Sequence, residues 1–239
     1  MKNKYCVIVP CYNEEDSIFQ TITEIRKTNR EISIIAINDG STDRTSKILQ
    51  DMECETLNFV SNLGIGGAVQ AGFIWALCNG YQGAIQIDGD GQHPPVYIAD
   101  LIRTFENFNC EMVVGSRNLK LKSQSTTRIR KIGNQFINTW INILFPSGHI
   151  TDSTSGMRLV GKSGLEIFSN DYPSDYPEPI AIAHMKSKGM SVVEIPIQMR
   201  LRQSGVSSIK ILHSPFYMFR VLSYITLLWL ASINRRIHA

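Results

Sequence analysis

An alternation of apolar runs with helical patterns dominates the first half of the chain and fixes the class of fold open to it. Strand-like runs at Tyr5–Pro10, Ile32–Asn38, Thr56–Ser61, Ala84–Asp88 and Met112–Gly115 are separated by segments of helical spacing that begin at Glu14 and after Ser41, Gly66 and Pro95. Near-continuous apolar strands joined by helices predict an α/β domain, a parallel sheet covered on both faces. In the first helix Asn13 is the expected N-cap, with Glu14, Glu15 and Asp16 in the first turn and Ile18, Ile22 and Ile25 on one face.

Sheets of this kind bind ligands at the carboxyl ends of their strands. Polar clusters fall at those positions: Pro10–Glu14, Asn38–Ser41, Ser61–Asn62, Asp88–Asp90 and Gly115–Arg117. Asp88 and Asp90 stand two positions apart, and alternate residues of an extended chain point the same way, so both carboxylates can meet one point; Gly89 between them is read as room for a bulky ligand. Mg²⁺ and Mn²⁺ are held by one or two carboxylates plus substrate phosphates, which suits this pair with Gln92 as a further oxygen ligand. The competing reading is an ordinary Asp-Gly turn. A calcium loop fits worse, because His93 and Ala99 occupy the positions of its turn glycine and its bidentate glutamate.

Other classes fail on particular residues. Gly64-Ile65-Gly66-Gly67 follows a strand, yet Val69 takes the place of the third glycine and this is the third βα turn, not the first, which argues against a dinucleotide-binding dehydrogenase. No G-x-x-x-x-G-K-[S/T] occurs, so a P-loop hydrolase is excluded. A net charge of +3 and the lack of zinc-finger spacing give no support for nucleic-acid binding. Five cysteines form an odd set without C-x-x-C, several of them in apolar runs that read as reduced buried thiols of a cytosolic chain, and the apolar run ending at Pro10 is too short for a signal peptide.

The rhythm stops at Arg117. Lys120–Lys131 is polar and basic and reads as a lid or binding loop. A helix is expected over Ile132–Leu144, a turn into a strand at Asp152–Arg158, a helix after Tyr176-Pro177-Glu178-Pro179, a strand over Ser191–Pro196 and a final helical run.

Taken in order, Pro10–Glu14, Asn38–Asp43, Asp88–Gln92, Gly115–Arg117, Asp152–Arg158, Tyr176–Pro179, Glu194–Pro196 and Arg202–Ser208 resemble the family 2 glycosyltransferases, closest to the branch of polyprenyl-phosphate sugar synthases. The match runs from Val7 to about Ile209. The resemblance implies a GT-A fold: a Rossmann-like, mostly parallel sheet with helices on both faces, here over residues 1–210, with a C-terminal helix over 211–239. It implies a nucleotide-diphosphate-sugar donor, Mg²⁺ or Mn²⁺, and inversion at the anomeric carbon. Carried over by position, Pro10, Tyr12, Glu14 and Asp39 hold base and ribose, Asp88 lies by ribose and metal, and Asp90 and Gln92 coordinate the metal. Arg117, Arg202 and one of Arg128 or Arg130 face diphosphate or acceptor phosphate, as suits the guanidinium fork. Asn38, Ile180 and Val206 depart from the usual pattern.

The chemistry expected is displacement at the sugar C1, with negative charge on the departing nucleoside diphosphate stabilised by metal and arginines. A hydroxyl acceptor needs a general base, for which Glu178 and Asp152 are candidates; a phosphate acceptor does not. Asp90, Arg117 and Glu178 are therefore the expected catalytic residues. The acceptor expected is a polyprenyl phosphate or a cell-surface glycan. A sugar nucleotidyltransferase, which would want a glycine-rich, lysine-containing loop after the first strand, and a catalytically silent partner of a glycan assembly complex are the alternatives. The segment Ser214–Ile233 is expected to lie on the cytoplasmic membrane face, since its charge-free run from Val221 is shorter than the roughly 20 residues that span a bilayer. Tyr217, Tyr224 and Trp229 suit an interface, and Lys210, Arg220, Arg235 and Arg236 suit anionic headgroups. Packing on the domain, a homodimer or a membrane-protein partner are the other fates considered for it.

Overall fold

The computed structural model describes residues 4–119, 128–200 and 215–237, with the side chains of 128–130, 215–216 and 235–237 left aside. The described residues form a seven-stranded sheet in the order β3-β2-β1-β4-β6-β5-β7. Its strands are β1 (Tyr5–Cys11), β2 (Ser33–Asn38), β3 (Thr56–Asn58), β4 (Gly83–Gln86), β5 (Met112–Ser116), β6 (Arg158–Gly161) and β7 (Val192–Pro196). All run parallel except β6, which lies antiparallel between β4 and β5. This reversal departs from the uniform rhythm of the first half and matters for the site. Because β6 runs backwards, the residues before it arrive at the edge where the other strands end.

Alternation along the strands feeds two cores. Cys6, Ile8, Ile35, Ile37, Met112, Val114 and Val160 face one side, and Val7, Val9, Ala36, Ile85, Val113 and Leu159 the other. The second side is covered by α1 (Ile18–Thr28), α2 (Thr45–Asp51) and α4 (Ile98–Phe108), which bury Ile18, Ile22, Ile25, Leu49, Ile98 and Leu101. The first is covered by α3 (Gly64–Cys78), α5 (Arg128–Leu144), α6 (Lys162–Asn170), α7 (Pro177–Ser187) and α8 (Pro215–Ile237).

Several details differ from the sequence expectation. Helix α1 starts at Ile18 with Ser17 at the cap position, not at Asn13. Asn13 has a left-handed backbone, φ 54°, and cross-links two loops: its N–H donates to Ser41 Oγ at 3.0 Å and its Oδ1 accepts from Thr42 N–H at 2.8 Å. Helix α5 reaches back to Arg128, inside the stretch read as a loop, while residues 120–127 lie outside the described set. Helix α6 had no counterpart in the reading.

Helix α8 shares the main core with β1, β2, α3, α5, α6 and α7. Tyr217, Val221 and Ile225, four residues apart, are buried, and the Tyr217 ring meets Tyr176 edge-on at 4.3 Å. Trp140 Nε1–H donates to Thr226 Oγ1 at 3.1 Å, tying α5 to α8. Tyr217 is buried and therefore does not serve the membrane interface expected of it, while Arg220 is exposed and pairs with Asp175 at 2.7 Å. Phe219, Tyr224, Leu227 and Leu230 face outward. Among the described residues no helix is long and apolar enough to cross a membrane.

Candidate active site

Asp88 and Asp90 leave β4 at the carboxyl edge. Gln86, in the strand, donates from Nε2 to Asp88 Oδ1 at 3.0 Å, and Gln92 N–H donates to Asp90 Oδ1 at 3.0 Å. Gly89 is small for a reason other than ligand access. A Cβ there would lie 2.9 Å from Cys11 Cβ, and its N–H donates to Pro10 O at 3.0 Å, so the glycine lets the loop close on the end of β1. Its carbonyl accepts from Ser17 Oγ and Thr21 Oγ1 of the α1 segment. His93 is buried with Nδ1 3.7 Å from Asp88 Oδ2. That nitrogen accepts the Asp88 N–H at 3.2 Å, so it carries no proton to share and the contact is not an ion pair. Gly156 lies against both Asp88 and His93, where a Cβ would come within 2.8 Å of Asp88 Oδ2 and 3.0 Å of the His93 ring.

Gly156 belongs to the segment delivered by the reversed strand. Within it Asp152 is buried, and it receives Arg117 in a fork: Nε to Oδ2 and Nη2 to Oδ1, each 2.6 Å, with Arg117 N–H also on Oδ2 at 2.9 Å. Burial works against the charge on Arg117, and Asp152 outweighs it, so its pKa lies above the ordinary value. With its carboxylate taken up in this way, Asp152 is an anchor for Arg117. Glu194 of β7 holds the same segment by accepting from Thr151 N–H and Oγ1–H and from Asp152 N–H. Three asparagines spaced four apart on α5 complete the hold. Asn134 donates to Thr154 Oγ1, Asn138 accepts from Ser153 N–H and Oγ–H, and Asn142 exchanges two bonds with Ile150.

The residues expected on the donor side sit at the ends of β1 and β2. Pro10 is buried in β1, Tyr12 is exposed, and Glu14 accepts from Ser17 Oγ at 2.8 Å. Asp39 is buried, and its two oxygens accept the N–H groups of Leu63 and Gly64 at 2.7 and 2.9 Å, at the start of α3. Here the carboxylate does structural work that the sequence reading did not foresee.

Glu178, in the first turn of α7, is half-buried. Burial pushes its carboxyl above the usual range, Arg158 and Arg117 pull against that, and Asp88 adds to it. Asp88 and Arg117 thus both act on Glu178 across the carboxyl edge. Arg130 lies in the first turn of α5, where only the backbone is described; Arg128 is in the same position, and Arg202 lies outside the described residues.

The donor set fits a hard cation. Asp88 and Asp90 would supply carboxylate oxygens, and Gln92 directs its amide N–H to Arg200 O at 3.4 Å, so that Oε1 is the atom it could offer a cation. Among the described residues no group of three His, Cys, Asp or Glu side chains forms a cation cage. Two carboxylates complemented by substrate phosphates is the arrangement for which Mg²⁺ or Mn²⁺ is suited.

The sequence reading assigned no role to Gln86, Arg158 or Glu194. The asparagine spacing on α5 is a signal that was available, since asparagine at every fourth residue lines one face of a helix with polar groups that serve something other than the core.

Known proteins extend this picture. Residues 6–168 match the model of Glycosyl transferase family 2. The chain is 31% identical over 212 residues to a UDP-N-acetylglucosamine–dolichyl-phosphate N-acetylglucosaminyltransferase of Methanococcus voltae, covering 80% of this chain and 84% of that one. It is 27% identical over 228 residues to a polyprenol monophosphomannose synthase of Mycolicibacterium smegmatis, covering 91% and 85%. Among solved structures, glucosyl-3-phosphoglycerate synthase from Mycobacterium tuberculosis, in complex with Mn²⁺, UDP and glucosyl-3-phosphoglycerate, superposes with a TM-score of 0.72 at 16% identity, covering 94% of this chain and 79% of that one. That likeness shows the GT-A architecture. With a seven-stranded mixed sheet, a paired-aspartate edge and a family match over most of its length, this chain belongs to glycosyl transferase family 2.

Proposed function

We propose that this transferase moves a sugar, with inversion, from a nucleoside-diphosphate donor to a polyprenyl phosphate, using Mg²⁺ or Mn²⁺. The observation that carries the reading is the convergence of Asp88 and Asp90 with the Arg117–Asp152 fork at one sheet edge, brought about by the antiparallel β6. The similarity to enzymes named for dolichyl-phosphate and polyprenol-phosphate transfer supports the acceptor class.

In this reading Asp88, Asp90 and Gln92 hold the cation, which when bound neutralises charge on the donor diphosphate. Pro10, Tyr12, Glu14 and Asp39 form the nucleoside side, Asp39 through the α3 terminus that it organises. Arg117, fixed by Asp152, presents its remaining guanidinium edge to phosphate, with Arg130 and Arg202 as further phosphate ligands. A phosphate oxygen attacks without losing a proton, so Glu178 contributes less than it would with a hydroxyl acceptor. The protein works at the cytoplasmic face of the membrane, which it meets through the outward side of α8. The test is transfer of labelled sugar from a panel of nucleotide sugars to polyprenyl phosphate in detergent. Label in the solvent-extractable lipid fraction supports the reading, and label appearing only as free sugar or on a soluble glycan contradicts it.

A further inference from the structure

Helix α1 faces the Asp88–Gln92 loop with a polar stripe. Ser17 at its cap, Thr21 and Glu24 are spaced four and three apart, so they share one side of the helix. The first two donate their hydroxyls to Gly89 O, at 2.9 and 3.2 Å, and fix the earlier part of the loop. The third reaches the later part through another segment: Glu24 Oε2 accepts from Arg200 Nη1 at 2.6 Å, in the chain that leaves β7. Arg200 in turn meets Gln92 twice, its N–H donating to Gln92 O at 3.0 Å and its carbonyl accepting from Gln92 Nε2 at 3.4 Å. Ser17, Thr21, Glu24, Gly91, His93 and Arg200 line a narrow crevice between helix and loop. The side chains of Glu24 and Arg200 are 25% and 41% exposed, and an ion pair so open to water adds little to stability. Its place suits another task. A glutamine amide turned by half a revolution offers N–H where it offered oxygen, and the Arg200 carbonyl selects the orientation by engaging Nε2.

We propose that Arg200 and Glu24 are positioning residues for the carboxylate loop: their ion pair ties the chain after β7 to α1, and the Arg200 backbone so held keeps Gln92 with Nε2 engaged and Oε1 available to a cation. The role rests on the cation reading given above, since only there does the orientation of Gln92 matter. The same chain is held nearer the sheet by Ile197 N–H on Ser116 O at 2.9 Å and by Gln198 N–H on the Tyr97 hydroxyl at 3.1 Å. These bonds leave to the Glu24 pair the placing of Arg200 itself. Loss of the pair therefore loosens Gln92 without unfolding β7.

Two measurements on the full chain compare wild type, Arg200→Glu, Glu24→Lys and the exchanged pair carrying both substitutions. Mn²⁺ binding, alone and with UDP, is followed by electron paramagnetic resonance of the free ion, and hydrogen exchange of the Gln92 and Arg200 amides by NMR. Arg200→Glu brings negative charge toward the carboxylates, so the field alone would tighten Mn²⁺ binding. The clamp predicts the reverse, an affinity lower by at least about tenfold, the scale on which groups that orient metal ligands act. Exchange at the Arg200 amide should be at least about tenfold faster, as befits a local opening. The exchanged pair should return both readouts to within about threefold of wild type. Tighter or unchanged binding in Arg200→Glu, or unaltered exchange, overturns the proposal, and so does a loss that the exchanged pair retains. Adding Arg200→Glu to Gln92→Leu should lower affinity no further, and an undiminished loss there would overturn the route through Gln92. If Arg200→Glu does not fold, Glu24→Gln removes the same pair and keeps the side chain's shape; faster exchange at Arg200 supports the clamp and unaltered exchange overturns it. A wild type that binds Mn²⁺ under neither condition sinks the cation reading instead, and the exchange rates then decide the clamp by themselves.

Discussion

Arg117 and Asp152 are bound together tightly enough that each has meaning only with the other. Asp152 is buried, and replacing Arg117 by methionine leaves its charge without a cation, a loss of about 3–5 kcal/mol for a broken buried pair. Arg117→Met should therefore lower the melting temperature sharply, and adding Asp152→Asn should recover a large part of it; additive losses in the double variant would contradict the pairing. Glu178 behaves in the opposite sense. Its folded-state pKa is raised above 4.5, so the fold disfavours its charge at every pH where the unfolded chain is ionised. Well below pH 4.5 the residue is neutral in both states and imposes no cost. The stability advantage of Glu178→Gln over wild type should be absent there, grow as pH rises through the folded pKa, and then level off. A gain that shrinks with rising pH in paired denaturation curves would reverse the assignment. At this scale the sequence was legible in placing Asp88, Asp90 and Arg117 at strand ends, and the structure has all three at one sheet edge. It said nothing of Arg158, whose burial depends on the direction of β6, or of Asp39's bonds to Leu63 and Gly64, which exist only once α3 is docked.

Among the elements, β6 decides the site and was the hardest to read. The βα alternation that made β1 to β5 legible ends at Arg117, and a four-residue strand carries no mark of its direction. Asp152–Arg158 was visible as a turn into a strand, whereas its arrival beside β4 was not. Elements that hold this segment can be tested apart from the chemistry. Lys186 of α7 is buried and donates to the carbonyls of Phe145, Ser147 and Gly148, closing the C-terminal end of α5, and burial lowers its pKa. Lys186→Met leaves these acceptors unmet and should cost roughly 2–4 kcal/mol in chemical denaturation. Loss below about 1 kcal/mol would mean that the α5 end is secured elsewhere.

At the scale of the whole molecule, α8 is a core element, and its outward side is the surface proposed here to meet the membrane. Cutting it away would expose the faces that Tyr217, Val221 and Ile225 cover, so truncation confounds folding with docking. Leu227 and Leu230 point outward, and changing both to glutamate spares the core. Each leucine contributes about 1.5 kcal/mol or more when withdrawn from water, so the double substitution should reduce co-sedimentation with anionic liposomes by at least about tenfold while far-ultraviolet circular dichroism is unchanged. Equal partitioning of the two proteins would remove α8 as the docking element.

The central claim is that a cation held at the Asp88–Asp90 edge supports sugar transfer to a lipid phosphate. It is tested most directly by the rate of transfer to polyprenyl phosphate in wild type and Asp90→Asn, each with Mn²⁺ and with excess chelator. The account predicts wild-type turnover that chelator abolishes and Mn²⁺ restores, and a loss of at least about a hundredfold in Asp90→Asn, the scale on which a main charge stabiliser acts. Turnover that survives chelation, or that is unchanged in Asp90→Asn, would contradict it.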